Sequence, residues 1–247
     1  MKKHFGLSIL AFFIGLMITA AGCGPVTFTR VRVDYQPYAL DENKQTKEGI
    51  TIERHFLKSL PPEFIAKAQK CDPATGGVSV GANGKPVMEE TSLLPKGAMI
   101  DKFSITNNTG HIIRLNSTVI AVFDPADNQF RTLSKEEIFS YLMQERPCQS
   151  TRRLQGRLNI IKLISRNTEL LPGRTTTGYL VYKPYDKNIP GVWKLSFYEL
   201  PVKTNAAGVV TKTVNFEFRS VARKFLDTYK WENILSKPVR ISSEEIR

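Results

Sequence analysis

Apolar and polar residues alternate along much of the second half of the chain. In residues 212–221, for example, Val214, Phe216 and Phe218 alternate with polar side chains. A period of two places one face of a strand in a core and the other face in solvent. The pattern predicts five strands from residue 99 onward: 99–106, 111–123, 175–183, 191–200 and 212–221.

The segments between these strands have turn compositions. Residues 107–110 read Asn-Asn-Thr-Gly, residues 205–208 read Asn-Ala-Ala-Gly, and residues 171–173 read Leu-Pro-Gly. The first two are typical of turns that join antiparallel strands. Short strands separated by turns at fairly even spacing predict an antiparallel β-sandwich.

The first half of the chain is less regular. Residues 26–33 and 50–57 have strand patterns, whereas residues 40–49 are polar and fit a tether or a long loop. The Pro-Pro-Glu sequence at 61–63 predicts the start of a short helix that ends near residue 70, because proline suits a first helical turn. Residues 72–86 predict a turn-rich loop.

Three segments of the second half are candidates for helices. Ser134 and Glu137 have the spacing of a capping box, which predicts a helix through about residue 143. Residues 158–165 are apolar and fit either a strand or a helix. Residues 221–236 predict a C-terminal helix, since Phe225, Leu226 and Tyr229 form an apolar stripe.

The first 23 residues have the order of a secretory leader. Two lysines precede an uncharged run at residues 5–19, and an Ala-Ala-Gly sequence at 20–22 leads to Cys23. The last four of these residues resemble the lipobox of bacterial lipoproteins. The resemblance implies that the leader 1–22 is removed and that Cys23 carries a diacylglyceryl group on its thiol.

Two other interpretations of the leader are an uncleaved anchor and a plain secretory signal. The uncharged run is shorter than the ~20 residues that a spanning helix usually needs. Gly24 follows Cys23. In the Gram-negative families with a similar leader, an Asp at this position favours retention at the inner membrane. For a Gram-negative host we therefore expect a protein anchored to the outer membrane and facing the periplasm.

Residues from about 93 to 220 resemble the immunoglobulin-like domains of bacterial lipoproteins. The resemblance is carried by FSITNNT at 103–109, by LPG at 171–173 followed by GYLVY at 178–182, and by WKLSF at 193–197. It implies a mainly β fold: an antiparallel immunoglobulin-like β-sandwich with a few peripheral helices. It brings no catalytic residue with it.

Cys71 and Cys148 are the remaining cysteines. They form no Cys-x-x-Cys motif, so neither a redox motif nor a zinc site is indicated. Outside the cytoplasm an even pair of cysteines favours a disulfide. Two unpaired thiols remain the alternative.

The net charge of +12 favours anionic partners, and removal of Lys2 and Lys3 with the leader lowers it to +10. In the envelope such partners are membrane surfaces and anionic polymers rather than nucleic acid. The alternative is scattered solvated charge. One basic stretch with interleaved apolar residues predicts either contact with an anionic surface or a solvated strand edge; it comprises Arg152, Arg153, Arg157, Lys162, Arg166 and Arg174.

The sequence contains no recognisable catalytic motif. Neither Gly-x-Ser-x-Gly nor His-Glu-x-x-His is present. His55 and His111 lack a second ligand at metal spacing, so we predict no metal site and no cofactor. Asp124, Asp127 and Asn128 fit a β-turn better than a calcium loop.

The predicted organisation is a leader at 1–22, an anchor with a first strand and linker at 23–48, and a β-rich domain at 49–247 with its sandwich core at about 93–220. We expect a membrane-anchored envelope lipoprotein whose β domain is non-catalytic and binds or scaffolds an envelope protein or an anionic polymer. One alternative is an envelope glycan hydrolase with dispersed carboxylates. Another is a lipid-surface binding protein that uses the basic stretch 152–174.

Overall fold

The computed structural model describes residues 26–37, 42–205, 207, 209–231 and 237–246. Short 3-10 turns lie at Pro62–Phe64 and Leu115–Ser117. The strands and helices are, in chain order, β1 Val26–Pro37, β2 Lys44–Lys47, β3 Ile50–His55, β4 Ile65–Gln69, β5 Met88–Ser92, β6 Met99–Asn107, β7 Ile113–Arg114, β8 Val119–Phe123, β9 Gln129–Arg131, α1 Lys135–Glu145, α2 Thr151–Ile160, β10 Glu169–Leu170, β11 Arg174–Tyr182, β12 Gly191–Thr204, β13 Val210–Trp231 and β14 Val239–Ile246.

The chain divides into two compact units. The larger unit is Tyr35–Ala222, and the smaller unit is formed by the described parts of Met1–Asp34 and Arg223–Arg247. β13 contributes residues to both units because it runs through Ala222 and Arg223.

Two antiparallel sheets make up the sandwich of the larger unit. One has the strand order β13-β12-β8-β9 and the other β11-β6-β3-β2. Phe103 of β6 meets Phe197 of β12 and Phe218 of β13, with ring centroids 5.4 and 5.3 Å apart. These rings are buried and fill the space between the sheets. The prediction of a mainly antiparallel β-sandwich with a few helices is confirmed.

A charged group lies inside this sandwich. Arg54 of β3 donates from Nε and Nη2 to Asp101 Oδ1 of β6, at 2.9 and 2.7 Å. The Tyr182 hydroxyl of β11 donates to Asp101 Oδ2 at 2.9 Å. The Asp101 carboxylate therefore links three adjacent strands, and the ion pair is almost fully shielded from water.

The outer face of the β11-β6-β3-β2 sheet is polar over part of its area. Thr46, Thr51, Thr106 and Thr175 are register partners and form one rung across all four strands. Their Oγ1 atoms lie 2.9 Å apart in the first pair and 2.8 Å apart in the last. Because these side chains are polar, the outer face of the sheet can lie in solvent while its inner face is buried.

A helical layer covers another part of the same outer face. Tyr179 and Val181 of β11 pack with buried residues of α1, α2 and the β4–β5 hairpin. The Ser134 hydroxyl accepts from the Glu137 amide, and the Glu137 carboxylate accepts from the Ser134 amide, so the predicted capping box is confirmed.

Three strands form the smaller unit, with β13 between β1 and β14. The Asp227 side chain of β13 is inaccessible to solvent. It accepts from Arg32 Nε of β1 at 2.8 Å and from the Ser243 hydroxyl of β14, and Arg240 Nη1 lies 3.5 Å away. One buried carboxylate thus connects all three strands of this unit.

The predicted C-terminal helix at 221–236 is wrong over residues 221–231, which continue β13. Residues 232–236 lie outside the described part. Phe225, Asp227 and Tyr229 share one face of a strand, and β14 supplies a hydrogen-bonding partner along residues 224–230. Phe225 and Tyr229 fit both periods, whereas Leu226 fits only the helical one, so the local pattern favours a helix and the distant pairing partner overrides it.

The predicted helix at 61–70 is also wrong beyond its first turn. Pro62–Phe64 is a 3-10 turn, and β4 follows directly. Ala66 and Ala68 alternate with exposed neighbours, which is a strand pattern. Pairing with β5, about twenty residues further along the chain, overrides the helical propensity of alanine.

The segment 111–123 is not one strand but β7, a 3-10 turn and β8. β7 pairs with β10, and β8 pairs with β12 and β9. Residues 107–110 consequently do not close a hairpin, because they lead out of the β6 sheet. Residues 158–165, left open above, contain the end of α2 at Ile160.

The sandwich also begins earlier than the predicted core of about 93–220. β2 and β3 are two of the four strands in its second sheet. Part of the polar segment 40–49 is therefore an edge strand rather than a tether. Edge strands are rich in polar and charged residues because one of their sides faces solvent, which is why the sequence suggested a loop.

Candidate anion-binding site

A second hydrophobic core lies beneath the two helices. Phe64 meets Tyr179 edge to face, with ring centroids 5.1 Å apart, and Leu142, Leu154 and Leu158 are buried beside them. Burial and the neighbouring Glu63 carboxylate raise the pKa of Tyr179 to about 12. This core fixes α1 and α2 against the β4–β5 hairpin.

A crevice opens between α1, α2 and the β4–β5 hairpin, and we call it the basic crevice. Its floor is formed by small and apolar side chains: Ala66, Ala68, Leu93, Leu142 and Leu154. The other residues that line it are polar, and four of them are cationic: Lys67, Thr91, Arg146, Gln149, Arg153 and Arg157. The residues that line this crevice include no acidic side chain.

The helix α2 places two of these cations side by side. Arg153 and Arg157 are one helical turn apart, so they occupy the same strip of the helix surface. Leu154 and Leu158 are buried and hold α2 in this rotation. The Ser150 side chain accepts from the Arg153 amide and begins the helix.

A disulfide fixes the connection between α1 and α2. Cys71, just after β4, is bonded to Cys148, and their Cα atoms lie 5.6 Å apart. On either side of Cys148, Arg146 Nη1 donates to the Ser92 carbonyl at 2.7 Å and Gln149 Nε2 donates to the Gln69 carbonyl. The cationic rim is thereby covalently tied to the β4–β5 hairpin. The predicted pairing of the two cysteines is confirmed.

The crevice arginines are not neutralised by neighbouring carboxylates. Among the described residues, no ion pair joins Arg146, Arg153 or Arg157 to an acidic side chain. Glu145 instead accepts from the Lys96 amide at 2.8 Å and lies 3.9 Å from Lys183. The guanidinium groups of Arg153 and Arg157 therefore remain available to an external anion.

The structure separates the six basic residues that the sequence singled out. Arg153 and Arg157 line the crevice. Arg152 is exposed elsewhere on α2, and the backbone around Lys162 pairs with Tyr179 of β11. Arg166 lies in an exposed segment, and Arg174 begins β11 as the register partner of Asn107. Of the six residues, Arg153 and Arg157 are therefore the two that line the crevice.

Sequence reasoning missed Lys67, Arg146 and Gln149. Arg146 and Gln149 flank Cys148, so the disulfide prediction could have drawn attention to them. Lys67 lies between two buried alanines in a segment that the sequence assigned to a helix. Its position at the crevice follows from the strand pairing of β4.

Two other residues considered for chemistry, Asp124 and His55, have structural roles. Burial opposes ionisation of Asp124, but hydrogen bonds from Asn128 and the Ala126 amide outweigh it and lower its pKa, as in a β-turn. His55 Nε2 lies 2.8 Å from the Ser104 hydroxyl on the outer face of the β11-β6-β3-β2 sheet. Among the described residues, no three His, Cys, Asp or Glu side chains are grouped to hold a metal ion.

The lipidation residue Cys23 and its leader lie outside the described residues. Within the residues that are described, no helix is both long enough and apolar enough to cross a bilayer.

No protein-family model and no curated protein matches the chain. The chain is similar to one solved structure, the yjhA protein from Bacillus subtilis, with 15% identity and a TM-score of 0.36. The similarity covers 70% of this chain and 93% of that one. A likeness this distant carries no argument about function.

Proposed function

We propose that the chain is a bacterial envelope lipoprotein that is anchored through Cys23 and binds an anionic envelope polymer across the exposed cationic rim of the basic crevice, whose interior of about 20 Å³ is too small for the polymer itself. The sequence of the leader supports the anchor. The disulfide between Cys71 and Cys148 supports a location outside the cytoplasm, because such bonds persist in oxidising compartments. In this function the β-sandwich is a scaffold rather than a catalyst.

The observation that carries the binding function is the unneutralised cationic rim of the crevice. Guanidinium groups donate paired hydrogen bonds to phosphate and carboxylate oxygens, and Arg153 and Arg157 present two such groups one turn apart. An anionic polymer fits this site because it presents repeated negative charges to neighbouring cations.

Binding is tested with the protein purified from its membrane in detergent and with polyphosphate as the probe. The Arg153→Glu/Arg157→Glu variant is compared with Arg166→Glu/Arg174→Glu, which changes the net charge equally outside the crevice. We expect the first variant to weaken binding about tenfold or more, since two charge-assisted contacts become repulsive. We expect the second variant to bind almost as the unmodified protein does.

An equal loss in both variants would show that only net charge matters and would overturn the crevice as the site. Replacing polyphosphate by polyglutamate distinguishes phosphate from carboxylate recognition, and neutral dextran controls for polymer binding without charge.

The anchor is tested separately by mass spectrometry of the purified protein. We expect an N-terminus at Cys23 with the added mass of acyl chains, and loss of membrane association in a Cys23→Ser variant. A protein that retains its leader, or that begins elsewhere without acyl mass, would overturn the lipoprotein assignment.

A further inference from the structure

The end of the smaller unit nearest to Cys23 exposes apolar and aromatic side chains. Phe28 of β1 stacks on Tyr229 of β13 with ring centroids 5.4 Å apart, and Trp231 lies 6.1 Å from Phe28. Phe28 and Trp231 remain 37% and 39% exposed. Val26 and Val239, at the beginning of β1 and β14, are more than half exposed. We call this set the aromatic end.

The register of the sheet explains why these residues meet. Val239 of β14 is the register partner of Lys230, next to Trp231. Further along the same strands, Arg32 of β1 binds Asp227. The beginning of β1, the end of β13 and the beginning of β14 therefore share one end of the three-stranded sheet.

Basic side chains lie at this end of the sheet. The described segments 26–31, 229–231 and 237–241 contain Arg30, Lys230, Lys237 and Arg240. Aromatic rings beside cationic side chains are typical of protein surfaces that lie in the headgroup layer of a bilayer.

The distance to the anchor identifies the surface that this end contacts. Val26 follows Cys23 by three residues, and three residues of extended chain span at most about 11 Å. When Cys23 is acylated, its acyl chains lie in the bilayer, so the aromatic end is held within the thickness of the headgroup layer. Resting on the proposed lipidation, we propose that the aromatic end inserts Phe28 and Trp231 into the bilayer surface beside the anchor.

Bilayer insertion explains two features together. It covers apolar surface that would otherwise face water, and it places basic side chains such as Arg30 and Lys237 beside anionic headgroups. A lipid anchor alone leaves the attached domain free to rotate, whereas a second contact fixes one end of the protein on the membrane.

Trp231 is a built-in reporter, because the chain has only two tryptophans and Trp193 is buried. The mature protein is reconstituted into vesicles of phosphatidylcholine that carries bromine on its acyl chains, with and without phosphatidylglycerol. The fluorescence of Trp231 is obtained by subtracting the tryptophan fluorescence of Trp231→Phe from that of the unmodified protein. We expect the brominated lipid to quench this signal, and to quench it more when anionic lipid is present.

A matched pair of variants localises the contact. Val239→Ser removes an exposed apolar side chain from the aromatic end and should reduce the quenching. Ile160→Ser removes an exposed apolar side chain from α2 and should not change it.

The two proposals fail in different ways. Acylated protein whose Trp231 signal is insensitive to brominated lipid would overturn the inserted aromatic end and leave the anchor intact. Protein without acyl mass at Cys23 would overturn the anchor, and with it the reason for placing this end at a membrane.

Discussion

The Tyr182 hydroxyl illustrates how much a single buried polar atom contributes. It donates to Asp101 inside the sandwich, where Asp101 also holds Arg54. Burial, and then the negative charge of Asp101, raises the pKa of Tyr182 well above its usual value. The hydroxyl therefore stays protonated at neutral pH and donates to Asp101.

We expect Tyr182→Phe to lower the free energy of unfolding by about 1–3 kcal/mol, because one oxygen of a buried carboxylate loses its partner. Urea denaturation measures the change. Tyr185→Phe is the matched control, since the Tyr185 side chain is almost fully exposed and its hydroxyl should contribute nothing. Equal stabilities of the Tyr182 and Tyr185 variants would show that the hydrogen bond is energetically neutral.

Asp227 makes the smaller unit sensitive to acid. Hydrogen bonds from Arg32 and Ser243 lower its pKa from 3.8 to about 2. Because the folded-state pKa lies below the ordinary value, the ionised carboxylate stabilises the unit fully above about pH 4, and this stabilisation is lost as the pH falls toward 2. Trp231 fluorescence should report a loss of structure in this range.

In Asp227→Asn we expect that acid dependence to disappear and the smaller unit to be less stable at neutral pH. Asp34→Asn is the control, because Asp34 pairs with the same Arg32 but is 39% exposed. If both variants keep the acid transition of the unmodified protein, another group controls it.

Strands and helices are predicted correctly from the sequence where the spacing of apolar residues fits only one kind of element. β11, β12 and the first half of β13 were found because alternating residues have one buried side, and α1 was found because its capping box is a local signal. β4 and the end of β13 were assigned to helices. Their strand conformation depends on β5 and β14, and no local pattern specifies such partners.

Gly178 in β11 is required by close packing rather than by a turn. A Cβ atom there would lie 2.9 Å from both Ile164 Cγ1 and the Lys162 carbonyl oxygen. That carbonyl accepts from the Tyr179 amide, and the Ile164 amide donates to the Tyr179 carbonyl. The backbone of 162–164 could give way only by losing these hydrogen bonds.

We therefore expect Gly178→Ala to lower the free energy of unfolding by about 1–3 kcal/mol. Gly156→Ala in α2 should have the opposite sign and stabilise by about 0.5–1 kcal/mol, because no atom lies within 4 Å of its added Cβ and alanine favours a helix. Thermal denaturation of the two variants measures the change in stability of each. A Gly178→Ala protein as stable as Gly156→Ala would contradict the close packing.

For the whole molecule, the basic crevice shows why a site is harder to predict than a fold. The sequence indicated the basic stretch and the cysteine pair separately. Arg153 and Arg157 came from the first and Arg146 lies beside the second, whereas Lys67 was hidden in a misassigned segment. These residues meet only when α1, α2 and the hairpin pack on the outer face of a sheet, and that packing involves contacts distant in sequence.

The division into two units predicts two unfolding transitions rather than one. Each unit has its own tryptophan: Trp193 lies in the larger unit and Trp231 in the smaller. The smaller unit has three strands and depends on the Asp227 network, whereas the larger has two hydrophobic cores and the disulfide. Three strands are close to the minimum that a sheet needs for independent stability. We therefore expect urea to change Trp231 fluorescence at a lower concentration than Trp193 fluorescence.

Reduction of the disulfide should affect only the unfolding of the larger unit. Its midpoint should move toward the midpoint of the smaller unit. The bond closes a loop with a sequence separation of 77, and loops of this size contribute about 4 kcal/mol in the chain-entropy model. With a typical dependence of 2–3 kcal/mol per molar urea, reduction should lower the Trp193 midpoint by about 1–2 M. The Trp231 midpoint, measured as the difference from Trp231→Phe, should not move, because the smaller unit opens before the disulfide loop does. Coincident midpoints that shift together on reduction would mean that the strand shared by both units couples them into one cooperative structure.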